Sequence, residues 1–427
     1  MLKGSLKSVN ITPAVEMEMA GFSERDHGAE GIHDDLFAKC LVLEKEDKRI
    51  AYVSIDAIGV DQAFVHQVRI EVAMHSEIEA ERVMVQATHT HSGPAAIRIH
   101  QRVNLVKTGK ITSADEAYYE LTLKKVVGVI LWANRTLEEV KIGYDSRTID
   151  TIGSNRNNRD EVYDNSVNVL KIENADAEVV GIVCNYACHP TVLGQHNYQF
   201  SSDYPSYFRQ YLEAAYPHAT VIFSQGCAGN ISTRFTKKES SFEEANRFGE
   251  LLGQRVKEML PRIVTADVNQ LDAKCLKVSL DVKHYPTDEQ LQASIEKYTG
   301  LLQQLEQENA DSSVIRKNYV TLQGLTRSLN AKHRITFKEV TTEIQVLDLG
   351  LCRMVSVPGD VFNEIGLAIK QFSDSVIICG YANDSVGYVV SSEGYQQDSY
   401  EINMTYLDEY SGDRLITTAK TLLDSLK

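Results

Sequence analysis

At 427 residues, with 43% hydrophobic and 24% charged side chains, the chain is long enough for one large or two ordinary domains, and its composition is globular. A net charge of −15 excludes a general nucleic-acid role, because a phosphate backbone is bound by a basic surface and no basic patch stands out. No apolar run approaches the ~18 residues of a membrane span, and residues 1–7 lack the continuous apolar stretch of a secretory leader, so a cytoplasmic location is expected.

Strand-like apolar runs fall at 50–58, 82–87, 179–186, 219–224, 353–357 and 375–381. Stretches with helical spacing lie between them, at 61–75, 115–134, 203–215, 241–260 and 362–372. This alternation predicts an α/β fold, a mixed β-sheet core flanked by helices, with chemistry in the loops at strand ends. Between 286 and 330 the rhythm changes: apolar residues at Leu291, Ile295, Tyr298, Leu302 and Leu305, then at Ile315, Tyr319, Leu322, Leu325 and Leu329, follow three-and-four spacing. The pattern predicts a helical hairpin insertion joined near 309–313, its first helix opened by a Thr287–Gln290 capping box. Seven cysteines, mostly inside apolar segments, read as buried thiols of a reducing compartment.

The chemistry-bearing residues follow the strand ends in chain order. His89 and His91, in Thr88-His89-Thr90-His91-Ser92-Gly93-Pro94, end the run at 82–87. Side chains two apart on a strand project together, and neutral imidazoles are the usual ligands of zinc-like ions; a hydrogen-bonded or solvated pair is the plain alternative. His189, in Cys188-His189-Pro190, is presented in the same way after 179–186. Cys184 and Cys188 share the opposite strand face and read as packing, and Asp203 reads as a helix cap. Ser232 closes the glycine-bearing loop Gln225-Gly226-Cys227-Ala228-Gly229-Asn230-Ile231-Ser232, and Asp360 follows Pro358-Gly359 at another strand end. Arg156, Tyr388 and Tyr400 lie in loop-like segments where solvated charge or half-buried aromatics are the ordinary outcome, and Asp360 can equally cap the next helix.

Taken together, in order and in strand-end context, these segments resemble the catalytic domain of the neutral/alkaline non-lysosomal ceramidases, zinc enzymes that hydrolyse the amide of N-acylsphingosine. The resemblance runs from Ile11-Thr12-Pro13, through Gly31-Ile32-His33-Asp34-Asp35-Leu36, to about Tyr400. It implies a single catalytic domain over 1–427, without the C-terminal domain of full-length ceramidases. It makes His89 and His189 zinc ligands, Asp360 the carboxylate ligand where ceramidases usually have glutamate, and Tyr388 the residue that completes the shell. His91 is implied to handle protons, Arg156 to stand beside the scissile amide, and Ser232 and Tyr400 to hold the substrate.

The implied activity is zinc-dependent hydrolysis of the N-acyl amide of a ceramide-like lipid by metal-activated water. A small soluble N-acyl compound is the alternative substrate. The chemistry is self-consistent, since zinc lowers the pKa of its water from 15.7 to ~7 and polarises a carbonyl. Two further readings stay open: a cysteine nucleophile at Cys227 with His189 as base, and a non-catalytic domain in which the metal is structural.

Overall fold

The computed structural model, which describes residues 1–98, 111–397 and 399–426, is organised around an eight-stranded mixed sheet. Its order is Thr220–Gln225, Val179–Tyr186, Ser166–Asn174, Glu138–Thr148, Lys3–Asn10, Phe37–Lys45, Lys48–Ile55, Val83–Ala87. The inner pairs are antiparallel, and the outermost pair at each edge is parallel. Strict alternation along the strands sends side chains to two different cores. Val83, Val85, Val221 and Phe223 point to the helical side, while Met84 and Ile222 point to the other.

On the helical side, Gln62–His75 and Ser113–Arg135 cover one half of the sheet, and Tyr204–Ala215 and Phe242–Met259 cover the other. The opposite face packs on a four-stranded sheet, where Leu347, Met354 and Ile377 meet Leu41, Tyr52 and Val183. That second sheet, ordered Asp272–Asp281, Glu339–Asp348, Arg353–Ser356, Val376–Cys379, is covered on its outer face by Asn363–Lys370 and Ser411–Asp424. The architecture is therefore helix, sheet, sheet, helix. Truncating one of the interdigitating residues, for instance Phe223→Ala, is expected to cost about 3–5 kcal/mol.

The hairpin insertion is present, as helices Asp288–Gln307 and Ser312–Arg334, and reaches four residues further than its apolar spacing indicated. The Thr287–Gln290 capping box forms. The insertion joins the two strands Asp272–Asp281 and Glu339–Asp348, which pair along their whole length. Among the described residues no helix is long and apolar enough to cross a membrane.

The large sheet curls until its two edges meet. Gln86, on one edge strand, donates from Nε2 to the carbonyl of Gln225 on the other at 2.5 Å, and also to the carbonyl of Gly380 at 2.6 Å. Segment 380–383 lies in the seam: Gly380 N bonds Gln225 O at 2.9 Å, Ala87 N bonds Tyr381 O at 3.1 Å, and Asn383 N bonds Val85 O at 2.8 Å. Loops leaving strands of both sheets are thereby gathered at one place.

Candidate metal centre and active site

Four side chains converge at that seam. His89 follows Val83–Ala87 and His189 follows Val179–Tyr186, each a strand of a parallel edge pair; Asp360 follows Arg353–Ser356 and Tyr381 follows Val376–Cys379, the parallel pair of the small sheet. Carboxyl ends of parallel strands are where open α/β sheets place ligands.

The two imidazoles of the His-x-His motif meet by a route other than strand alternation. The strand ends at Ala87, and His89 turns into the left-handed region with φ +65°. Tyr381 does the same with φ +54°. Non-glycine residues held there cost on the order of 1 kcal/mol or more and concentrate at functional sites. The turn is held by His89 N donating to Ala57 O at 2.9 Å and Nδ1 to Ile58 O at 2.6 Å. Gly359, at φ +87° where a Cβ would collide with Gly387 O, is required for the turn that delivers Asp360.

A carbonyl can only accept, so His89 carries its proton on Nδ1 and offers the Nε2 lone pair. His189 is fixed in the same tautomer by Ala228 O at 2.6 Å and Ile231 O at 3.0 Å. Its Nε2 is buried and has no hydrogen-bond partner among the described residues. Asp360 Oδ1 lies 3.5 Å from both Nε2 atoms, and His91 Nε2 lies 3.1 Å from that of His89. The three imidazoles place their ligating nitrogens within 4.8 Å of one another. Ligands of a tetrahedral cation bound at ~2.0–2.1 Å stand ~3.3 Å apart. Acceptor atoms at this spacing, with the His89 and His189 imidazoles each anchored through the far nitrogen to a backbone carbonyl, fit a divalent cation.

Electrostatics keep the imidazoles in the ligating form. Burial pushes His189 well below the ordinary histidine range, assisted by the positive charge of Arg156. His91 is pushed down in the same direction by burial, then by His89, Arg25 and Arg156. His91 differs from the other two in its outer partner: Nδ1 is packed against the Gly21 backbone without a well-formed hydrogen bond. Gly21 adopts φ +101° and leaves no room for a Cβ beside this ring.

Comparison with known proteins shows the family of the chain. Residues 7–242, more than half of the chain, match the family described as neutral/alkaline non-lysosomal ceramidase, N-terminal. The chain belongs to this ceramidase family. It is 23% identical to the neutral ceramidase of Pseudomonas aeruginosa across 91% of its own length, and spans 66% of that relative. It is 25% identical to the Drosophila melanogaster neutral ceramidase across 48% of its length, spanning 31% of that protein. The crystal structure of the Pseudomonas aeruginosa enzyme has the same fold, with a TM-score of 0.77 at 20% identity over 99% of this chain and 75% of that one.

Beside the imidazoles, the remaining residues singled out for their ceramidase-like motifs form a second group. Asp360 and Tyr388 are neighbours across the short parallel ladder Asp360–Val361 with Tyr388–Val389. The Tyr388 phenol accepts from Arg156 Nη2 at 3.0 Å, and its ring stands edge-on to Tyr400 with centroids 6.1 Å apart. Burial raises the Tyr388 pKa well above 10, opposed by Arg156. Burial works against the charge of Arg156, but Tyr388 and Glu401 outweigh it and raise its pKa. Ser232 is buried, pairs by its backbone with His189 as an isolated bridge, and accepts through Oγ from Arg234 N at 3.3 Å.

Three contributors were not singled out from the sequence. Tyr381 donates to Asp360 Oδ1 at 2.6 Å and stacks on His89 at 3.9 Å and 19°; its position at the end of a predicted strand was the available signal. Glu401, next to Tyr400, accepts from Arg156 Nε at 2.6 Å and from Asn157 Nδ2 at 3.1 Å. Arg327, from the hairpin insertion, donates to the Tyr400 phenol at 2.7 Å. Cys184 and Cys188 pack in the core, Asp203 caps Tyr204–Ala215, and burial drives the Cys227 thiol upward, away from the thiolate a nucleophile needs.

Proposed function

We propose that this chain is a zinc-dependent amidohydrolase that cleaves the N-acyl amide of a ceramide-like substrate. The observation that carries the reading is the meeting of His89 Nε2, His189 Nε2 and Asp360 Oδ1, with both imidazoles anchored to backbone carbonyls. Two neutral imidazoles and a carboxylate are a catalytic rather than a closed structural zinc set, and Tyr388, beside Asp360 on the parallel ladder, completes it. A zinc ion held there supplies Lewis acidity, polarising the amide carbonyl and acidifying a water.

The protein's own groups do the rest. His91, kept neutral and with its Nε2 3.1 Å from that of His89, takes the proton from the attacking water and returns it to the leaving nitrogen. Arg156, charged and oriented by Glu401, faces the developing oxyanion. Ser232 and Tyr400 hold the substrate on either side. A soluble N-acyl compound is the second reading, favoured by the guanidiniums and phenols of Arg156, Arg327, Tyr388 and Tyr400 gathered beside the imidazoles.

The test is release of free amine from a short-chain N-acylsphingosine by purified protein, with and without a zinc chelator. Chelator-sensitive release, restored by added zinc, is expected. Unchanged release in chelator would refute the metal mechanism, and no release by zinc-loaded protein would move the activity to the soluble class.

A further inference from the structure

The hairpin insertion has a consequence for substrate choice. The face of its second helix that carries Gly324, Arg327 and Ser328 sits on the short helix Tyr400–Met404: Gly324 is in close contact with Asn403, and Ser328 Oγ bonds Asn403 O at 3.0 Å. Arg327 is thereby held at the site. It donates to the Tyr400 phenol at 2.7 Å, contacts Met404 Sδ at 3.1 Å, and donates to Ser23 Oγ at 2.7 Å, in the N-terminal loop whose Gly21 backs His91. All these partners are neutral, and among the described residues Arg327 makes no ion pair.

Arg25, in the same loop, repeats the pattern. Its guanidinium bonds the carbonyls of Ala20, His91 and Asn197, and its Nη2 is buried without a partner among the described residues. Arg156, the third guanidinium, is matched by Glu401. Three guanidiniums thus stand around His91 and Tyr400 with three carboxylates, Asp360, Glu401 and Glu24, but Glu401 is taken by Arg156 and Glu24 is reached from Arg327 only through the Ser23 hydroxyl, at 3.3 Å. A guanidinium whose direct partners are all neutral keeps its charge available to an anionic ligand.

We propose that Arg327, delivered by the hairpin, is a specificity-determining residue that selects an N-acyl substrate carrying an anionic group, a carboxylate being the simplest. The inference rests on the amide-hydrolase reading and takes its second substrate class, a soluble N-acyl compound, over the ceramide-like lipid.

Two matched probe pairs test it: N-octanoylglycine against N-octanoylglycinamide, with the carboxylate on the amine side, and N-hexylsuccinamic acid against its terminal amide, with the carboxylate on the acyl side. In at least one pair the zinc-loaded protein is expected to prefer the carboxylate in kcat/KM by about tenfold or more, the strength of one charge-assisted hydrogen bond. Arg327→Gln should reduce that ratio to about twofold or less, chiefly through KM, and Arg327→Lys should keep part of it. A ratio near one for both pairs in the parent protein, or an Arg327→Gln variant that slows both members alike, would overturn the proposal while leaving amide hydrolysis intact.

Calorimetric binding of the same four probes to chelator-treated protein separates the two readings. Carboxylate-selective binding that Arg327→Gln abolishes supports the anion site even without turnover, and binding indifferent to the carboxylate overturns it.

Discussion

On the imidazole side of the site, His89 and His189 are held by backbone: their Nδ1 atoms bond carbonyls at 2.6 Å, and their loops leave strands buried on both faces. On the guanidinium side, Arg156, Tyr388, Tyr400, Glu401 and Arg327 hold one another by side chains that come from loops, a five-residue helix and an insertion. Backbone anchoring makes the first side a property of the fold itself. Side-chain anchoring makes the second replaceable residue by residue without disturbing the strands that carry His89 and His189.

The sharpest contrast comes from removing a charge on the guanidinium side. Arg156→Ala is expected to lower kcat about 10²–10³-fold, as loss of one oxyanion donor does. It should also destabilise the protein by about 3–5 kcal/mol, because Glu401, 1% exposed, loses its ion pair. Adding Glu401→Gln should return much of the stability and none of the turnover. Recovery of both in denaturant unfolding and rate assays would show that Arg156 is structural only.

On the imidazole side, Asp203 fixes the segment after His189 by accepting from Leu193 N at 2.9 Å and Tyr204 N at 2.7 Å. Complete burial raises its pKa to about 6, above the ~3.9 of an unfolded chain. Because the folded pKa is the higher, the stabilising contribution is full below pH ~4 and is lost as pH rises through about 6. Relative to Asp203→Asn, the parent should lose about 3 kcal/mol between pH 4 and pH 7. A pH-independent difference in chemical unfolding would contradict a buried, strained carboxylate.

A smaller effect is expected where the two sheets' contributions touch. Tyr381→Phe keeps the stack on His89 but removes the bond to Asp360 Oδ1. Zinc affinity measured against a competing chelator should fall about tenfold, the usual worth of an outer partner, with little change in stability. An unchanged affinity would remove Tyr381 from the metal's support.

Much of this was legible from sequence where a single physical signal dominated. Continuous apolar runs marked 179–186 and 219–224 because parallel edge strands are covered on both faces. Three-and-four spacing and the Thr287–Gln290 box marked the hairpin. Antiparallel strands such as Glu138–Thr148 and Asp272–Asp281, half exposed and alternating polar with apolar, gave no such run, and the second sheet was therefore not anticipated. In the site, His89, His91, His189 and Asp360 stood out through residue type at strand ends. Their partners did not, because Ile58 O and Ala228 O are backbone atoms common to every residue, and Tyr381, Glu401 and Arg327 gain meaning only from contacts across the chain.

The most direct test of the metal centre is optical titration of the metal-free protein with Co²⁺, in the parent, His189→Ala and His91→Ala forms. The arrangement predicts a single tight equivalent with a tetrahedral-type spectrum in the parent and in His91→Ala, and its loss in His189→Ala. Undiminished binding by His189→Ala, or loss in His91→Ala as complete as in His189→Ala, would contradict the division between the residues that hold the metal and the one that moves the proton.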